Sequence, residues 1–191
     1  MANKILLSEM DDTPPQIVFR DVTDFSPTAA NDLRKGTPTL VQLNLEGLAD
    51  DAYRQSTKFD FGANWASAYA VRAAIEHAAT PVAGEIWTFY LVPSQSATAG
   101  TGNAAGASGA DSAYTGYSSN ANASIKQAVQ IGIFVCTAQA TPTIQVAECG
   151  TFVPTERYGS LIVFNTSGAA YFATDAAEAH IVFDPIIMEV Q

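Results

Sequence analysis

Basic side chains are scarce in this sequence, with nine Lys and Arg residues against 19 Asp and Glu and a formal net charge of −10. Proteins that grip a phosphate backbone carry clustered Lys and Arg, because their affinity comes from neutralising phosphates. Here the basic residues are scattered singly, apart from the pair Arg34-Lys35. We therefore expect no nucleic acid among the partners and no binding to an anionic membrane surface.

Long hydrophobic runs are also missing. A transmembrane helix needs about 18 or more consecutive apolar residues, and no segment of the chain has them. The early apolar run Ile5-Leu6-Leu7 ends at Ser8, too soon for the hydrophobic region of a signal peptide. We expect a soluble protein with no membrane partner, whose 48% hydrophobic content is enough for one buried core.

Cysteine and histidine are limited to two residues each. Cys136 and Cys149 lie in strand-like segments on either side of a turn that contains a proline, and we expect two small buried thiols. A cross-strand disulfide and, less favoured, a metal site are the alternatives, because the sequence does not say whether the side chains face each other. His77 and His180 form neither an HxH nor an HExxH pattern, so structural roles are expected.

Three patterns come near catalytic or phosphate-binding motifs and fall short of them. Residues 106–110, Gly-Ala-Ser-Gly-Ala, have the second glycine one position early for a GxSxG nucleophile elbow. Residues 100–106 are one residue too long for GxGxxG, and no helical pattern follows. No spacing favours one carboxylate pair among Asp11-Asp12, Asp50-Asp51, Glu76 with Glu85, and Asp175 with Glu178. We therefore expect no catalytic residue, no cofactor and no metal, and a protein that is not an enzyme.

Apolar residues alternate with polar ones from Thr39 onward, the pattern of half-buried strands. Gly, Pro, Asn or Asp marks nearly every boundary between the segments. The expected strands are Thr39 to Leu45, Arg54 to Phe61, Ser67 to Glu76, Gly84 to Val92, Lys126 to Thr137, Thr143 to Phe152, Ser160 to Asn165, Ala169 to Ala173 and Ala179 to Val190, the last interrupted by Pro185. The sequence thus predicts an all-β fold, a jelly-roll-like β-sandwich over residues 39–191.

Two segments leave alternatives open. Ala66 to Ala79 is rich in alanine and fits a helix as well as a strand; we favour a strand, because a short turn joins it to the clear strand that follows. Residues 1–38 carry four prolines and only short apolar pieces. They indicate an extended N-terminal arm, or a strand with loops, ahead of the sandwich domain.

The segment from Ser94 to Ser124 consists almost entirely of Gly, Ala, Ser, Thr and Asn, with no Lys or Arg. Such a composition buries too little apolar area to order itself, so we expect a long loop that lies on a surface or is ordered by neighbours. Its larger residues, Tyr114 and Tyr117 with Asp111, are the candidate interface. Contact with another subunit, contact with a glycan and simple solvent exposure are the alternatives.

The run from Gly150 to Val163, GTFVPTERYGSLIV, followed by Asn165-Thr166-Ser167-Gly168, resembles small virion proteins of tailed bacteriophages. Residues 94–103, SQSATAGTGN, are similar to the same group. The resemblance covers roughly Asn31 to Gln191 and consists of turn and strand pieces. It therefore indicates a class of protein rather than a particular role.

This resemblance implies a structural protein of the virion, assembled in the host cytoplasm. The first hypothesis is a capsid decoration or cement protein that binds the major capsid protein and self-associates, with a trimer favoured. The second is a carbohydrate-binding or host-recognition module on the tail or baseplate. Trp65, Trp87, Tyr114 and Tyr117 are then the candidates for stacking on sugars, although Trp65 and Trp87 are more typical of a sandwich core.

Overall fold

The computed structural model describes residues 3–7, 14–169 and 178–190, with the backbone alone for 3–7 and 188–190. The described residues contain twelve strands and only short helical turns. The strands are β1 (Asn3–Leu7), β2 (Ile17–Arg20), β3 (Thr39–Gln42), β4 (Ala52–Gln55), β5 (Phe59–Asp60), β6 (Ala68–Glu76), β7 (Ile86–Ser94), β8 (Ser112–Ala113), β9 (Val129–Val135), β10 (Ile144–Phe152), β11 (Tyr158–Thr166) and β12 (His180–Val190). The all-β fold class is confirmed.

Two sheets of six strands pack face to face as a sandwich. The first sheet has the order β10-β6-β12-β2-β3, and β1 also pairs with β12. The second has the order β8-β4-β11-β7-β9, and β5 also pairs with β11. Strand pairing is antiparallel except between β2 and β3. From β6 to β12 the chain crosses repeatedly between the sheets, so each sheet is built from segments distant in sequence.

Strand β6 settles the choice between helix and strand for residues 66–79. Tyr69, Val71, Ala73 and Ile75 are fully buried and point into the core between the sheets. The strand pairs with β10 on one side and with β12 on the other, so its backbone hydrogen bonds are satisfied. The prediction of a strand is confirmed, because a spacing of two places one face in the core.

Most other expected strands match the structure within a few residues. The exception is the segment 54–61, which divides into β4 and β5 because residues 56–58 leave the sheet. Pro185 lies within β12 instead of interrupting it. Pro185 lies opposite Tyr69 of β6, between the part of β12 that pairs with β2 (residues 181–183) and the part that pairs with β1 (from residue 186). The expected strand 169–173 lies outside the described residues beyond Ala169.

Residues 14–38 lie against the sandwich and do not extend from it as an arm. Ile17, Val18 and Phe19 of β2 are buried on both faces of the sheet. The chain then returns over the outer face of the first sheet, in a segment that we call the first-sheet cover, residues 21–38. A strand that is buried on both faces has consecutive apolar residues with no polar residue between them. This explains why Ile17, Val18 and Phe19 are all apolar.

A buried carboxylate fixes the first-sheet cover. Asp184 of β12 is 1% exposed and accepts hydrogen bonds from Arg72 Nε at 2.5 Å and from Gln16 Nε2 at 2.6 Å. Gln16 also donates to Leu33 O and accepts from the backbone N–H of Lys35. The buried carboxylate is therefore connected to the cover through Gln16 and through Lys35, whose Nζ lies 3.8 Å from Asp184 Oδ1.

The long loop is folded onto the outer face of the second sheet, and we call residues 95–128 the second-sheet cover. Its buried members Ala105, Tyr114 and Ile125 pack against Val92 and Ile162 of the sheet. Its glycines permit backbone to lie directly on backbone. A Cβ on Gly109 would overlap Ala99 O, and one on Gly116 would lie 2.5 Å from Ser124 Oγ. Small residues thus order this loop by close packing.

Lys58 holds the start of the second-sheet cover. Its ammonium group lies 2.6–2.9 Å from four oxygen atoms, which are Ser94 Oγ, Ser96 O, Thr98 O and Thr101 O. Burial lowers the pKa of this ammonium. An ammonium can donate three hydrogen bonds, so the segment 94–101 folds around it as it would around a small cation.

Candidate interaction surface

Two edge strands meet along one side of the sandwich. β10 ends the first sheet and β9 ends the second. Their backbones come close at two glycines: a Cβ on Gly150 would lie 2.5 Å from Ile131 O, and one on Gly132 would lie 3.1 Å from Cys149 O. A larger residue at either position would force the strands apart. The two edges therefore form one continuous surface.

This surface is apolar and exposed. We call its outward-facing apolar side chains the β9–β10 surface: Val129, Ile133, Val135, Ile144 and Val146. The same two strands also expose Gln130, Glu148 and Thr151. Val135 is 55% exposed and Val146 is 48% exposed. A groove of about 370 Å³ runs between the strands and is lined by Val135, Ile144 and Val146 among others. Large apolar side chains grouped in this way are typical of a surface that contacts another molecule.

The β9–β10 surface is also nearly free of charge. β9 has no ionisable residue, and β10 has Glu148 as its one charged residue. Residues 127–156 contain no Lys, Arg or His and two of the 19 acidic residues of the chain. Edge strands of soluble proteins usually carry charges or prolines that prevent pairing with other chains. This side of the sandwich lacks most of that protection.

Of the three predicted interface residues, the structure buries Tyr114, pairs the partly buried Asp111 within the chain and leaves Tyr117 exposed. Tyr114 is 3% exposed, and its hydroxyl donates a hydrogen bond to Ala105 O at 2.6 Å. Asp111 accepts from Arg54 Nε at 2.7 Å and from Gln42 Nε2 at 3.1 Å, which connects the cover to β3 and β4. Tyr117 is 50% exposed and remains at the surface. Tyr114 lies at the centre of the cover. The neighbouring residues of the loop are small, so they pack around its large ring and bury it.

The tryptophans occupy opposite environments. Trp87 is fully buried, and its Nε1 donates to His77 Nε2 at 3.0 Å. Trp65 is 40% exposed, beside Asn64 and Ser67 in a cavity of about 320 Å³. Sequence reasoning did not single out the β9–β10 surface, although the uncharged composition of residues 127–147 was a signal for it.

The two cysteines are free thiols, as expected. Cys136 is buried and Cys149 is partly buried. Burial raises the pKa of Cys136 to about 11 and that of Cys149 to about 12. Thiols with such pKa values remain protonated and unreactive near neutral pH.

Both histidines are buried and accept a hydrogen bond at Nε2. His77 accepts from Trp87, and His180 accepts from the backbone N–H of Leu33 at 3.0 Å. Burial lowers the pKa of His77 from 6.5 to about 4, and burial also lowers the pKa of His180. Protonation would put an N–H where each ring now accepts one, so the folded state keeps both rings neutral.

Because both histidines have lowered pKa values, we expect the folded chain to lose stability in acid. Because the pKa of His77 is lower in the folded chain than in the unfolded chain, the unfolded state takes up the proton first as the pH falls. The contribution of the neutral His77 ring to the free energy of unfolding is therefore complete above about pH 6.5 and decreases toward pH 4. Each histidine makes the free energy of unfolding fall by up to about 1.4 kcal/mol per pH unit in the range where it is protonated only in the unfolded chain. Urea unfolding between these pH values measures the slope.

The variant His77→Gln is the control for this prediction, since glutamine can accept from Trp87 without titrating. We expect a shallower dependence on pH than in the unmodified chain, whatever its stability at neutral pH. Equal slopes for the two proteins would contradict the assignment to His77.

Other kinds of site are not formed by the described residues. Across 3–7, 14–169 and 178–190, no three His, Cys, Asp or Glu side chains are grouped so that they could hold a metal ion. No helix within these ranges has the length and apolarity to cross a membrane. Asp11, Asp12 and Asp175, which the carboxylate pairs include, lie outside the described residues. Comparisons with family models, with curated proteins and with solved structures find no match to the chain.

Proposed function

We propose that the chain is a structural protein of a tailed-phage virion, a capsid decoration or cement protein that stabilises the head by binding the major capsid protein. The observation that carries the proposal is the β9–β10 surface, an apolar and nearly uncharged area on a chain of net charge −10. Such an area becomes stable when another protein subunit covers it. The place of action is then the virion, assembled in the host cytoplasm.

The strand order supports a jelly roll as the finer description of the sandwich. β2, β12, β6 and β10 are neighbours in one sheet, and β4, β11, β7 and β9 are neighbours in the other. This is how the eight strands of a jelly roll divide between two sheets. Viral capsid domains use this fold, as do lectin domains, so the topology fits the proposal without being specific to it.

The two covers support the proposal because they make the outer faces of the single chain rigid. Each outer face of the sandwich is packed against a segment of the same chain, through Asp184 on one side and through Lys58 and Tyr114 on the other. A body that is already ordered loses little conformational entropy when it binds. A subunit that must hold a shell together benefits from this property.

Carbohydrate recognition on the tail is the alternative, and it depends on exposed aromatic rings. Of the four rings suggested for stacking on a sugar, Trp87 and Tyr114 are buried and hydrogen-bonded within the chain. Trp65 and Tyr117 remain exposed. The geometry thus favours a protein partner over a glycan.

Particles of the phage that encodes the chain are expected to carry it on their heads, and heads assembled without it are expected to release DNA at a lower temperature. A protein that binds only the assembled shell adds its binding free energy to the intact state. Mass spectrometry of purified virions, immunogold microscopy and a DNA-dye melting curve are the measurements. Absence from the particles contradicts the proposal, and labelling of tails alone contradicts the head assignment.

A further inference from the structure

We propose that the first-sheet cover is an acid-sensitive flap, which protonation of His180 releases from the outer face of the first sheet while both sheets stay folded. The release would uncover the area around Val18 and Val182, which are fully buried in the closed chain. The inference goes beyond the proposed function and does not depend on it, since it concerns one chain by itself.

His180 is the contact between β12 and the middle of the cover. Its side chain is buried, its Nδ1 donates to Glu178 O at 2.7 Å, and its Nε2 accepts from the backbone N–H of Leu33 at 3.0 Å. The two ring nitrogens are thus both used, one as a donor and the other as an acceptor. Protonation puts a hydrogen on Nε2 at the position that the Leu33 N–H occupies, so this contact is lost.

Leu33 is the residue through which the cover is fixed to the sheet. Its backbone oxygen accepts from Gln16 Nε2 at 2.9 Å and from Arg72 Nη2 at 3.4 Å, while its N–H binds His180. Gln16 directly precedes β2, Arg72 belongs to β6, and His180 belongs to β12. Val182 lies two residues from His180 in β12 and opposite Arg72 in β6. Detachment of Leu33 therefore opens the cover above Val182.

Positive charge faces the His180 ring from two elements. Burial does most to lower the pKa of this ring, and Arg34 of the cover and Arg72 of β6 lower it further. The Glu178 backbone oxygen and the Asp32 carboxylate act in the opposite direction. Asp32 is already paired with Arg34 at 2.7 Å, so it offsets little of the charge that a protonated ring adds.

Phe25 makes a further contact that protonation disturbs. Its ring packs against the imidazole of His180 with 5.0 Å between the ring centroids. The guanidinium groups of Arg20 and Arg34 lie 4.5 Å and 4.9 Å from the centre of the same phenyl ring. A protonated His180 would be the third cation around Phe25. Because Arg34 belongs to the cover, release of the cover moves it away from the charged imidazole.

The cover is easier to detach than a strand of the sandwich. Residues 21–38 contain no strand, and Asp21 is the one buried residue among them. Segments with few buried contacts open at a low free energy. His77, by contrast, is fully buried and accepts from the core residue Trp87, so its protonation requires the core itself to open. A fall in pH should therefore release the cover before it unfolds the sandwich.

The direction of the pH effect follows from the two forms of the cover. In the released cover the His180 ring has its ordinary pKa of 6.5, whereas in the closed cover its pKa is lower. The closed form is thus fully favoured above about pH 6.5. Below that pH, the equilibrium constant for opening rises by up to about tenfold per pH unit until the ring of the closed form is also protonated.

Hydrogen exchange resolved by peptide tests the release on the full chain, at about pH 7.5 and about pH 5.5 and corrected for the intrinsic effect of pH. Protection of residues 21–38 should fall by up to about tenfold at the lower pH, and that of β6, β7 and β11 should not change. Equal protection of residues 21–38 at both pH values, or a simultaneous loss of protection in all strands, overturns the proposal.

Two variants assign the effect to one histidine. His180→Gln keeps an acceptor for the Leu33 N–H and does not titrate, so protection of its cover should be nearly the same at both pH values, whatever its level. His77→Gln is the matched control and should release its cover as the unmodified chain does. The full pH dependence in His180→Gln, or its absence in His77→Gln, overturns the assignment.

A second measurement uses the unmodified chain and does not depend on how a variant folds. In a pH titration followed by NMR, the Leu33 amide resonance should move with the same midpoint as the His180 ring, because the two groups share a hydrogen bond. Glu178→Gln should leave the release unchanged, since a glutamine can still accept from the Thr28 N–H as Glu178 Oε1 does. A Leu33 resonance that does not follow His180, or a release that is lost in Glu178→Gln, contradicts the role of His180.

Discussion

Replacing Lys58 with methionine is expected to free residues 95–103 while the rest of the sandwich stays folded. Methionine keeps the length and the apolar contacts of the side chain but has no hydrogen to donate. The three carbonyl oxygens that converge on the ammonium, Ser96 O, Thr98 O and Thr101 O, would then lose this donor, and the Ser94 hydroxyl can donate to one of Ser96 O and Thr101 O at a time. Two of the four contacts are partly buried and two are exposed. Because an acceptor that loses its donor regains a hydrogen bond by opening to water, we expect the segment to open locally while the sandwich stays folded.

Hydrogen exchange resolved by peptide is the measurement for Lys58→Met. Peptides within residues 95–103 should lose protection, and those of β6 and β12 should keep it. Lys126→Met removes an exposed lysine from the same cover and serves as the control. Unchanged exchange in residues 95–103 would show that the ammonium is not what orders the segment.

A small amine extends the same experiment. Lys58→Ala removes three methylene groups and the ammonium, which together correspond to propylammonium. Added propylammonium should restore protection in residues 95–103, whereas tetramethylammonium, which has the charge but no N–H, should not. Equal rescue by both ions would mean that charge, and not hydrogen bonding, holds the segment.

Replacing Asp184 with alanine is the second change with a large expected effect. The carboxylate is 1% exposed, so its removal leaves Arg72 and Gln16 without the acceptor that they share. Removing one partner of a buried ion pair typically costs about 3–5 kcal/mol. Since Arg72 is 26% exposed and can partly turn to water, we expect the lower end, about 3 kcal/mol. Equilibrium urea unfolding at pH 7 measures it.

Asp60→Ala is the matched control, because Asp60 pairs with Arg157 at 2.7 Å but both side chains are 41% exposed. Exposed pairs contribute little to stability because water screens them, and water can replace the carboxylate as acceptor for the Gly62 N–H, so this variant should unfold nearly as the unmodified chain does. The double variant Arg72→Met with Asp184→Leu removes both charges of the closest pair and leaves only Lys35, which is 30% exposed and can turn to water, so it should recover part of the loss. Similar losses for Asp184→Ala and Asp60→Ala would contradict the importance of burial here.

The strands were predictable because a periodic signal encodes them. In β6 the core residues Tyr69, Val71, Ala73 and Ile75 recur every second position, as a strand with one buried face requires. The segment 17–19 gave a weaker signal. Its apolar residues do not alternate with polar ones, because the first-sheet cover buries the outer face of β2. The sequence alone does not show that residues 21–38 fold back over this face.

The candidate site was harder to predict, for two physical reasons. A loop of small residues suggests flexibility from its composition, yet Gly109 and Gly116 allow backbone contacts that order it, and Lys58 reaches it from another part of the chain. Exposure at the β9–β10 surface depends on which strands end their sheets. Strand order comes from pairing between distant segments, which the sequence does not display, so Tyr114 was expected at the surface and Val135 was not.

The location of β12 has a consequence for how the chain acquires its structure during synthesis. β12 lies in the middle of the first sheet, between β6 and the pair β2 and β1, although all of these strands are made before it. Until residues 180–190 have been translated, β2 and β6 each have an inner edge with no neighbour. A nascent chain in this state is open to chaperones and to misassembly with other ribosome-bound copies, and closure of the sheet must wait for contacts of very long sequence separation.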